Sequence, residues 1–346
     1  MAPTLVRLYL RRSLRQTRHV KAVPTRAARG LVAEVYRQVE RDFGMMAPPV
    51  GLHSPSPEAL AASWLILRET LVARGHVDRA SKELVATSVS AANRCPYCED
   101  VHGTTVAGLV AAEDRRDNAE RERIEAWVKE TATAGTADNL PFTAVQAPEI
   151  IGTAVAFHYY NRMVNVFLGD SPLPPHVPEA ARPRARRVLS WILRPSGGGP
   201  RAGTSLRLLP AARQPDELCW ARANPIVADA FARAYAALDA AGERSVPASV
   251  RDLVRRHLRA WDGEPPGISR SWVDEATAEL SEADQAVGRF ALVVALAAYQ
   301  VDDGLVAAVR RAGAGDRELV EVAAWASMAA ARRVSTWLAA GSSACG

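Results

Sequence analysis

The sequence predicts an all-α fold, and three observations lead to this prediction. Apolar side chains recur every three or four positions through most of the 346 residues, which is the spacing of one face of an α-helix. No segment shows the alternation of a half-buried strand, and no glycine-rich phosphate loop is found. With 48% hydrophobic and 23% charged residues, the composition is that of a globular protein able to bury a large core.

Three helices are predicted in the first quarter of the chain. Apolar residues repeat at helical spacing over residues 31–43. Ser56 and Pro57 are typical of an N-cap and a first helical position, and they open a second helix that runs to Gly75. A third helix begins near Asp78, and its small and apolar residues predict burial on most sides. Later helices are predicted at residues 116–132, 148–168, 224–241, 246–260, 270–278, 282–311 and 316–339.

Basic charge and proline divide the chain into four regions. Residues 1–29 carry eight Lys and Arg residues without an Asp or Glu, and residues 171–216 carry eight Arg residues against two carboxylates, with nine of the 22 prolines. We expect a basic arm at 1–29, a helical domain at 30–170, a linker at 171–216 and a second helical domain at 217–346. Because the basic residues are concentrated in the arm and the linker, a nucleic-acid-binding function is disfavoured.

The arm has two interpretations. Arg7 and Arg11 lie on one helical stripe and Val6 and Leu10 on the next, as in an amphipathic helix that docks on a membrane surface or a partner. The favoured alternative is a flexible solvated arm, because chain ends are often poorly ordered. The apolar cluster is too short for a secretory signal, and no apolar run reaches the ~20 residues of a membrane span, so we expect a cytoplasmic protein.

The most distinctive segment combines Glu83, Cys95, Cys98 and His102. Eleven residues separate Glu83 from Cys95, two separate the cysteines, and three separate Cys98 from His102. Pro96 suits the first position of a helix, which makes Cys95 the N-cap and places both cysteines and His102 on one face. Amide N–H groups and the helix dipole at this end favour a thiolate, and a carboxylate in the preceding apolar helix needs a partner.

Three interpretations fit this spacing. The favoured one is a redox dithiol, in which one cysteine is oxidised and the other resolves it to a disulfide. The second is a zinc site with Cys95, Cys98, His102 and Glu83 as ligands, although a second ligand cluster is lacking. The third is structural, with two small buried thiols and a core histidine. A thioredoxin fold is disfavoured because a helix, not a strand, is predicted before the cysteines.

The Glu-x11-Cys-x2-Cys-x3-His spacing on an all-α scaffold resembles the AhpD-like alkylhydroperoxidase family, within the carboxymuconolactone decarboxylase superfamily. The segment from Phe157 to Asn165 is also similar to the family's His-Tyr and Asn-Arg stretch. The strong resemblance covers residues 30–170, and a weaker one covers residues 217–340. It implies an AhpD-like helical fold.

The resemblance also implies a peroxidase that needs no haem, flavin or metal cofactor. Cys98 would attack the peroxide, Cys95 would donate a proton and then form a disulfide with Cys98, and Glu83 and His102 would relay protons. An external dithiol, in the family a lipoyl-bearing protein, would reduce the disulfide, and members commonly form homo-oligomers. Helix-end electrostatics alone favour Cys95 as the more acidic thiol, but the family assigns the attack to Cys98, and we follow it. Some family peroxidases carry a His between the cysteines, where this chain has Pro-Tyr.

The second helical domain is predicted to be a degenerate tandem copy of the first. A shift of 201 positions aligns its helices with those of the first domain and places Asp284, Leu296, Tyr299 and Asp303 at the four site positions. Without a cysteine there, the copy cannot perform thiol chemistry, and we expect it to mimic a subunit contact by packing. Cys219 and Cys345 have no His or Cys at a useful spacing and are interpreted as incidental thiols.

Two other functions compete with the peroxidase. A decarboxylase-like enzyme of the same superfamily would use acid–base residues without a dithiol, so the intact cysteine pair argues against it. A non-catalytic redox sensor or binding protein would use the basic arm as its functional surface. Outside the motif, we expect Arg162 to pair with a carboxylate such as Glu83 or Glu149, because a cation on an apolar helix needs a partner.

Overall fold

The computed structural model describes residues 13–110, 118–131, 133–134, 140–173, 177–182, 184, 199–339 and 345. Within these ranges all regular secondary structure is helical, which confirms the predicted fold class. Residues 1–12, which carry the predicted amphipathic pattern of the arm, lie outside the described residues. None of the helices in the described part of the chain combines the length and hydropathy needed to cross a membrane.

The helices fall into two sets along the chain. The first set is α1 (Gly30–Asp42), α2 (Pro57–Leu67), α3 (Arg79–Ala92), α4 (Pro96–Val110), α5 (Asn118–Glu130) and α6 (Ala147–Phe167). A one-turn helix, Pro48–Gly51, precedes α2, and a π-helical turn, Arg68–Val72, extends it. The second set is α7 (Pro225–Ser245), α8 (Ala248–Ala260), α9 (Ser271–Thr277), α10 (Glu282–Ala297), α11 (Asp303–Arg311) and α12 (Asp316–Leu338).

Side-chain caps explain where α3 begins and why α2 differs from expectation. The Asp78 carboxylate accepts the backbone N–H of Ser81 at 2.9 Å, so α3 begins after Asp78 as predicted. Ser56 precedes α2 as predicted, but its hydroxyl makes no capping bond and instead donates to the Glu321 carboxylate at 2.9 Å. A buried carboxylate from a distant helix therefore takes the hydroxyl that the local sequence assigned to a cap.

The segment predicted as one helix over residues 282–311 is two helices. α10 ends at Ala297, and α11 begins after Asp302, whose carboxylate accepts the backbone N–H of Leu305. The single-helix prediction was wrong because the apolar periodicity continues across the break, whereas the helix start depends on the Asp302 cap.

The two sets of helices share one hydrophobic core. Helix α2 packs against α7, and α6 packs against α12, so both contacts join the first set to the second. Within the first set α3 contacts α4, α5 and α6, and within the second α10 contacts α8, α11 and α12. This packing does not test whether the sets are copies of one unit, and the tandem copies and the domain boundaries stay predictions.

Part of the predicted arm and part of the predicted linker pack on this core. Leu14 and Val20 are buried, and the backbone N–H of Arg18 donates to the carbonyl of Phe167 at 2.7 Å. The expectation of a solvated arm is wrong for this part of it, because its apolar side chains leave water. At the other end, the Glu69 carboxylate accepts the N–H of Gly203 at 2.8 Å and the hydroxyl of Ser205 at 2.5 Å.

Candidate active site

The predicted site residues meet at the junction between α3 and α4. Asn93 follows α3, and Arg94 has a left-handed backbone with φ of 51°, which turns the chain sharply. The N–H of Cys95 donates to the carbonyl of Ser90 at 2.9 Å, and the carbonyl of Cys95 accepts the N–H of Glu99 at 3.0 Å. The second bond is the first of α4, so Cys95 occupies the N-cap position expected from Pro96.

Both thiols of the junction are buried and free of a disulfide. Cys95 and Cys98 are 0% and 3% exposed. Burial, and after it the neighbouring Cys95, raises the pKa of Cys98 well above its usual value, whereas a hydrogen bond from Asn161 lowers it. Burial therefore outweighs the thiolate stabilisation expected from the helix end. The sequence did not predict this direction because it does not reveal how completely Cys98 leaves water.

Glu83 and His102 form a hydrogen-bonded pair beside the thiols. His102 Nδ1 lies 2.5 Å from Glu83 Oε2, and Glu83 Oε1 accepts from Arg79 Nε at 2.7 Å. Burial would raise the pKa of Glu83, but Arg79 and His102 outweigh it and lower the pKa to about 2. The carboxylate is therefore ionised and fixes Nδ1 of His102, which leaves Nε2 as the ring nitrogen for proton transfer.

An apolar cavity of about 100 Å³ reaches two of the four residues. Cys98 and His102 form part of its wall, together with Tyr97, while Cys95 lies outside the lining. Gln16, from the predicted arm, also lines it. The other lining side chains are mostly apolar and include Phe43, Met45, Leu67, Leu71, Phe157 and Tyr160. Of the two thiols, Cys98 is the one that faces a space suited to a small apolar molecule.

A buried polar cluster joins α3 to α6 next to Cys98. Arg162 Nη1 donates to Asn93 Oδ1 at 3.2 Å and to the carbonyl of His158 at 2.7 Å. Asn93 Nδ2 lies 3.1 Å from Asn161 Oδ1 and 3.0 Å from His158 Nδ1, and Asn161 Nδ2 donates to Ser90 Oγ at 2.9 Å. Burial, reinforced by Arg162, lowers the pKa of His158 well below its usual value, so a neutral His158 ring accepts from Asn93.

The expected pairing of Arg162 with a carboxylate is wrong. Arg162 donates to neutral oxygens, while Glu83 pairs with Arg79, and Glu149 Oε2 lies 2.5 Å from Lys82 Nζ. Both carboxylates have nearer cations, each of which reaches its partner from the start of α3. Arg79 could have been found in the sequence, because it lies four residues before Glu83, the spacing of a helical ion pair.

Asn93 and Asn161 were not identified by the sequence analysis of the motif. They lie 68 residues apart, and their contact depends on how α6 packs against the end of α3. The signal available in the sequence was the polar pair Asn161 and Arg162 within an otherwise apolar helix, since buried polar groups need partners. This signal marks the pair as buried and partnered but does not say with what.

The other two cysteines form a disulfide. Cys219 and Cys345 are bonded across 126 residues of sequence, with their Cα atoms 5.1 Å apart. Their interpretation as incidental thiols was wrong, because a partner so distant in sequence leaves no spacing pattern. In the described residues, no group of three or more His, Cys, Asp and Glu side chains has an arrangement that could hold a metal ion, so the zinc interpretation finds no geometric support there.

Comparison with known proteins agrees with the resemblance. The model of the carboxymuconolactone decarboxylase family matches residues 58–140, which contain all four predicted site residues. Over 333 residues the chain is 38% identical to the alkyl hydroperoxide reductase Rv2159c of Mycobacterium tuberculosis, an alignment that covers 93% of this chain and 95% of that protein. The chain belongs to the AhpD-like carboxymuconolactone decarboxylase family, as predicted.

Proposed function

We propose that this chain is an AhpD-like alkyl hydroperoxide reductase that works through Cys95 and Cys98. The observation that carries the proposal is the unequal position of the two thiols. Cys98 faces an apolar cavity beside His102, and the buried Cys95 contacts Cys98 from outside that cavity. One sulfur thus meets the substrate and the other is in reach to resolve the product. The name of the Mycobacterium tuberculosis relative supports the same reaction.

The proposed reaction begins with a thiolate. The Cys98 sulfur attacks the terminal oxygen of the hydroperoxide, the O–O bond breaks, and the alkoxide takes a proton and leaves as an alcohol. Cys98 is then a sulfenic acid. The Cys95 sulfur attacks the Cys98 sulfur, the S–O bond breaks, and hydroxide takes a proton and leaves as water. One hydroperoxide has been reduced by two electrons, and a Cys95–Cys98 disulfide has formed.

Proton transfer in this scheme is assigned to His102 and Glu83. Because burial raises the pKa of Cys98, the resting sulfur is a thiol and needs a base before it attacks. His102 lies one helical turn from Cys98 in the same cavity wall, and the ionised Glu83 orients its ring. The imidazole takes the thiol proton and returns it to the departing alkoxide, so the pair acts first as base and then as acid.

The remaining parts of the proposal concern substrate and partners. The mostly apolar wall favours a hydroperoxide with an alkyl or aryl group over hydrogen peroxide. An external dithiol, such as a lipoyl-bearing protein, reduces the disulfide by thiol–disulfide exchange. We propose a cytoplasmic homo-oligomer that uses no bound cofactor.

Peptide mass mapping tests this function. Reduced full-length protein carrying Cys219→Ser, which removes the second disulfide, is treated with one equivalent of cumene hydroperoxide. We expect the peptide with Cys95 and Cys98 to lose two hydrogens, and a Cys95→Ser variant to form a sulfenic acid on Cys98 that dimedone traps. Cys98→Ser is the matched control, and in this variant the peptide that contains Cys95 should not be oxidised. Unchanged thiols in the parent would overturn the proposal.

A further inference from the structure

We propose that Arg162, Asn93 and Asn161 form a directional hydrogen-bond relay that presents an amide N–H to the Cys98 sulfur and stabilises it as a thiolate. The relay deepens the proposed function and rests on it, because it assigns positioning residues to the same site. These three side chains come from α6 and from the residue after α3, and none of them belongs to the Glu-Cys-Cys-His motif.

The direction of the relay follows from its first member. A guanidinium has only donors, so the Asn93 atom that Arg162 Nη1 contacts at 3.2 Å is the amide oxygen. The amide nitrogen of Asn93 therefore points the other way, toward Asn161 Oδ1 at 3.1 Å, and its two N–H groups are shared among this oxygen, His158 Nδ1 and the carbonyl of Val89. Because Asn161 Oδ1 faces Asn93, the amide nitrogen of Asn161 points the other way, toward α3 and Cys98. Each amide accepts at its oxygen and donates at its nitrogen, so polarisation by Arg162 is passed along the chain.

Ser90 fixes the last amide independently. The Ser90 hydroxyl donates its one proton to the carbonyl of Ala86 at 2.6 Å, so it accepts from Asn161 Nδ2 at 2.9 Å. This bond uses one of the two N–H groups of Asn161. The other N–H is left for Cys98, and Asn161 lowers the pKa of that thiol. Arg162 and Ser90 thus fix the same amide orientation from opposite ends.

Arg162 explains why the relay favours an anion. Arg162 is 5% exposed, and its described hydrogen bonds end on neutral oxygens of Asn93, His158 and Ala295. Burial lowers the pKa of Arg162 to about 10, so it is still a cation at neutral pH. A buried cation among neutral acceptors is stabilised when an anion forms nearby. The thiolate of Cys98 is the anion that the proposed reaction generates at the other end of the relay.

The second set of helices takes part in holding this cation. The carbonyl of Ala295, on α10, accepts from Arg162 Nε at 2.9 Å, and the Trp261 ring lies 5.7 Å from the guanidinium carbon. The second set of helices therefore contributes to the site by fixing Arg162, without supplying a reacting group.

The relay is tested by titrating the thiol. In a full-length Cys95→Ser variant, the rate of iodoacetamide alkylation of Cys98 is measured against pH, since only the thiolate reacts. We expect Asn161→Ala to raise the midpoint by about one pH unit, which is about a tenfold slower reaction below the midpoint. Asn161→Asp should raise it further, because a carboxylate replaces the donor. Arg162→Lys, which keeps the charge but not the fork of donors, should raise it less.

Asn165→Ala is the matched control. Asn165 lies one turn after Asn161 on α6 and donates to the backbone carbonyl of Asn93 at 3.2 Å, outside the relay, so the midpoint should not change. Where Asn161→Ala fails to fold, Ser90→Ala removes the acceptor that orients Asn161 and should raise the midpoint by a smaller amount. A folded Asn161→Ala or Ser90→Ala with the parent midpoint overturns the relay, and so does an equal shift in Asn165→Ala.

The titration separates this inference from the proposed function. Alkylation needs no hydroperoxide, so the midpoints alone decide whether the relay is supported or overturned. A protein whose Cys98 midpoint moves as expected but whose thiols ignore cumene hydroperoxide keeps the relay and loses the peroxidase function. A protein whose Cys98 is oxidised by cumene hydroperoxide but whose midpoints do not move keeps the peroxidase function and loses the relay.

Discussion

The two halves of the molecule are both helical in the described residues, but they bury different side chains. In the first half, Glu83 is buried and bonded to His102 between α3 and α4. At the positions 201 residues later, Asp303 is 92% exposed, and Asp284 accepts a hydrogen bond from the exposed Ser249 at 2.7 Å. The comparison teaches that the helical frame does not make the site. Chemistry depends on which polar groups the frame removes from water.

The halves also differ in the state of their cysteines. Cys95 and Cys98 are free, buried thiols, and the later pair, Cys219 and Cys345, is a disulfide. A free buried pair beside a cavity is arranged for chemistry, whereas a bond that closes 126 residues restricts the unfolded chain. One pair is therefore expected to control turnover and the other stability.

The largest effect is expected at His102. His102→Gln removes the base while keeping a side chain of similar size, and it should lower kcat/KM for an organic hydroperoxide by about 10²- to 10⁴-fold. Asp303→Asn, the substitution at the matching position of the second half, should leave kcat/KM unchanged. Steady-state hydroperoxide consumption with a dithiol measures both variants. Equal losses of kcat/KM in the two variants would contradict the assignment of the base to the first half.

The second largest effect is expected when the Cys219–Cys345 disulfide is removed. Cys219→Ser should lower the free energy of unfolding by about 4 kcal/mol, since the bond closes a long loop, and it should leave hydroperoxide turnover intact. Guanidinium denaturation of the parent and the variant measures the difference. Cys95→Ser is the control at the free pair and should not lose this stability. A parent that is equally stable with and without reductant would show that the later pair has no structural role.

The third effect is the loss of stability in acid that depends on Glu83, and it should be slightly smaller than the effect of removing the disulfide. The pKa of Glu83 is lowered from 4.5 to about 2 on folding, so the carboxylate contributes stability above pH 4.5 and loses it as the pH falls toward 2. The contribution is about 3 kcal/mol. Urea denaturation across this pH range should show a shallower pH dependence for Glu83→Gln than for the parent.

The corresponding control is Asp284→Asn. Its carboxylate accepts from an exposed hydroxyl, whereas the buried Glu83 carboxylate is bonded to Arg79 and His102, so removing the Asp284 carboxylate should leave the slope of stability against pH as in the parent. If Asp284→Asn flattens the slope as much as Glu83→Gln does, the buried pair of the first half is not the source of acid sensitivity.

Local sequence patterns were sufficient for much of the first half. The motif spacing placed Cys95 at a helix start and Glu83 on the helix before it, and the structure brings Glu83 to His102. These contacts lie within about one helical hairpin, where spacing and cap chemistry determine geometry. The start of α3 near Asp78 was also predicted, and the structure shows that Asp78 caps it.

Contacts between distant segments were not predictable in this way. Asn161 reaches Asn93 across 68 residues, and Cys219 reaches Cys345 across 126. Periodicity identifies the buried face of each helix but does not say which helix covers it. For the same reason the sequence underestimated the burial of Cys98, and with it the direction in which its pKa moves.

The smallest expected effect lies where the two halves touch at the site. Tyr299 stands at the position that the 201-residue shift assigns to Cys98, and the Arg94 guanidinium carbon lies 4.8 Å from its ring centroid. A double-mutant cycle with Tyr299→Leu and Arg94→Gln should give a coupling energy of about 0.5–1 kcal/mol in urea denaturation. Zero coupling would mean that Tyr299 merely fills space. A measurable value would show that Tyr299 helps to hold the turn that presents Cys95 in the first half.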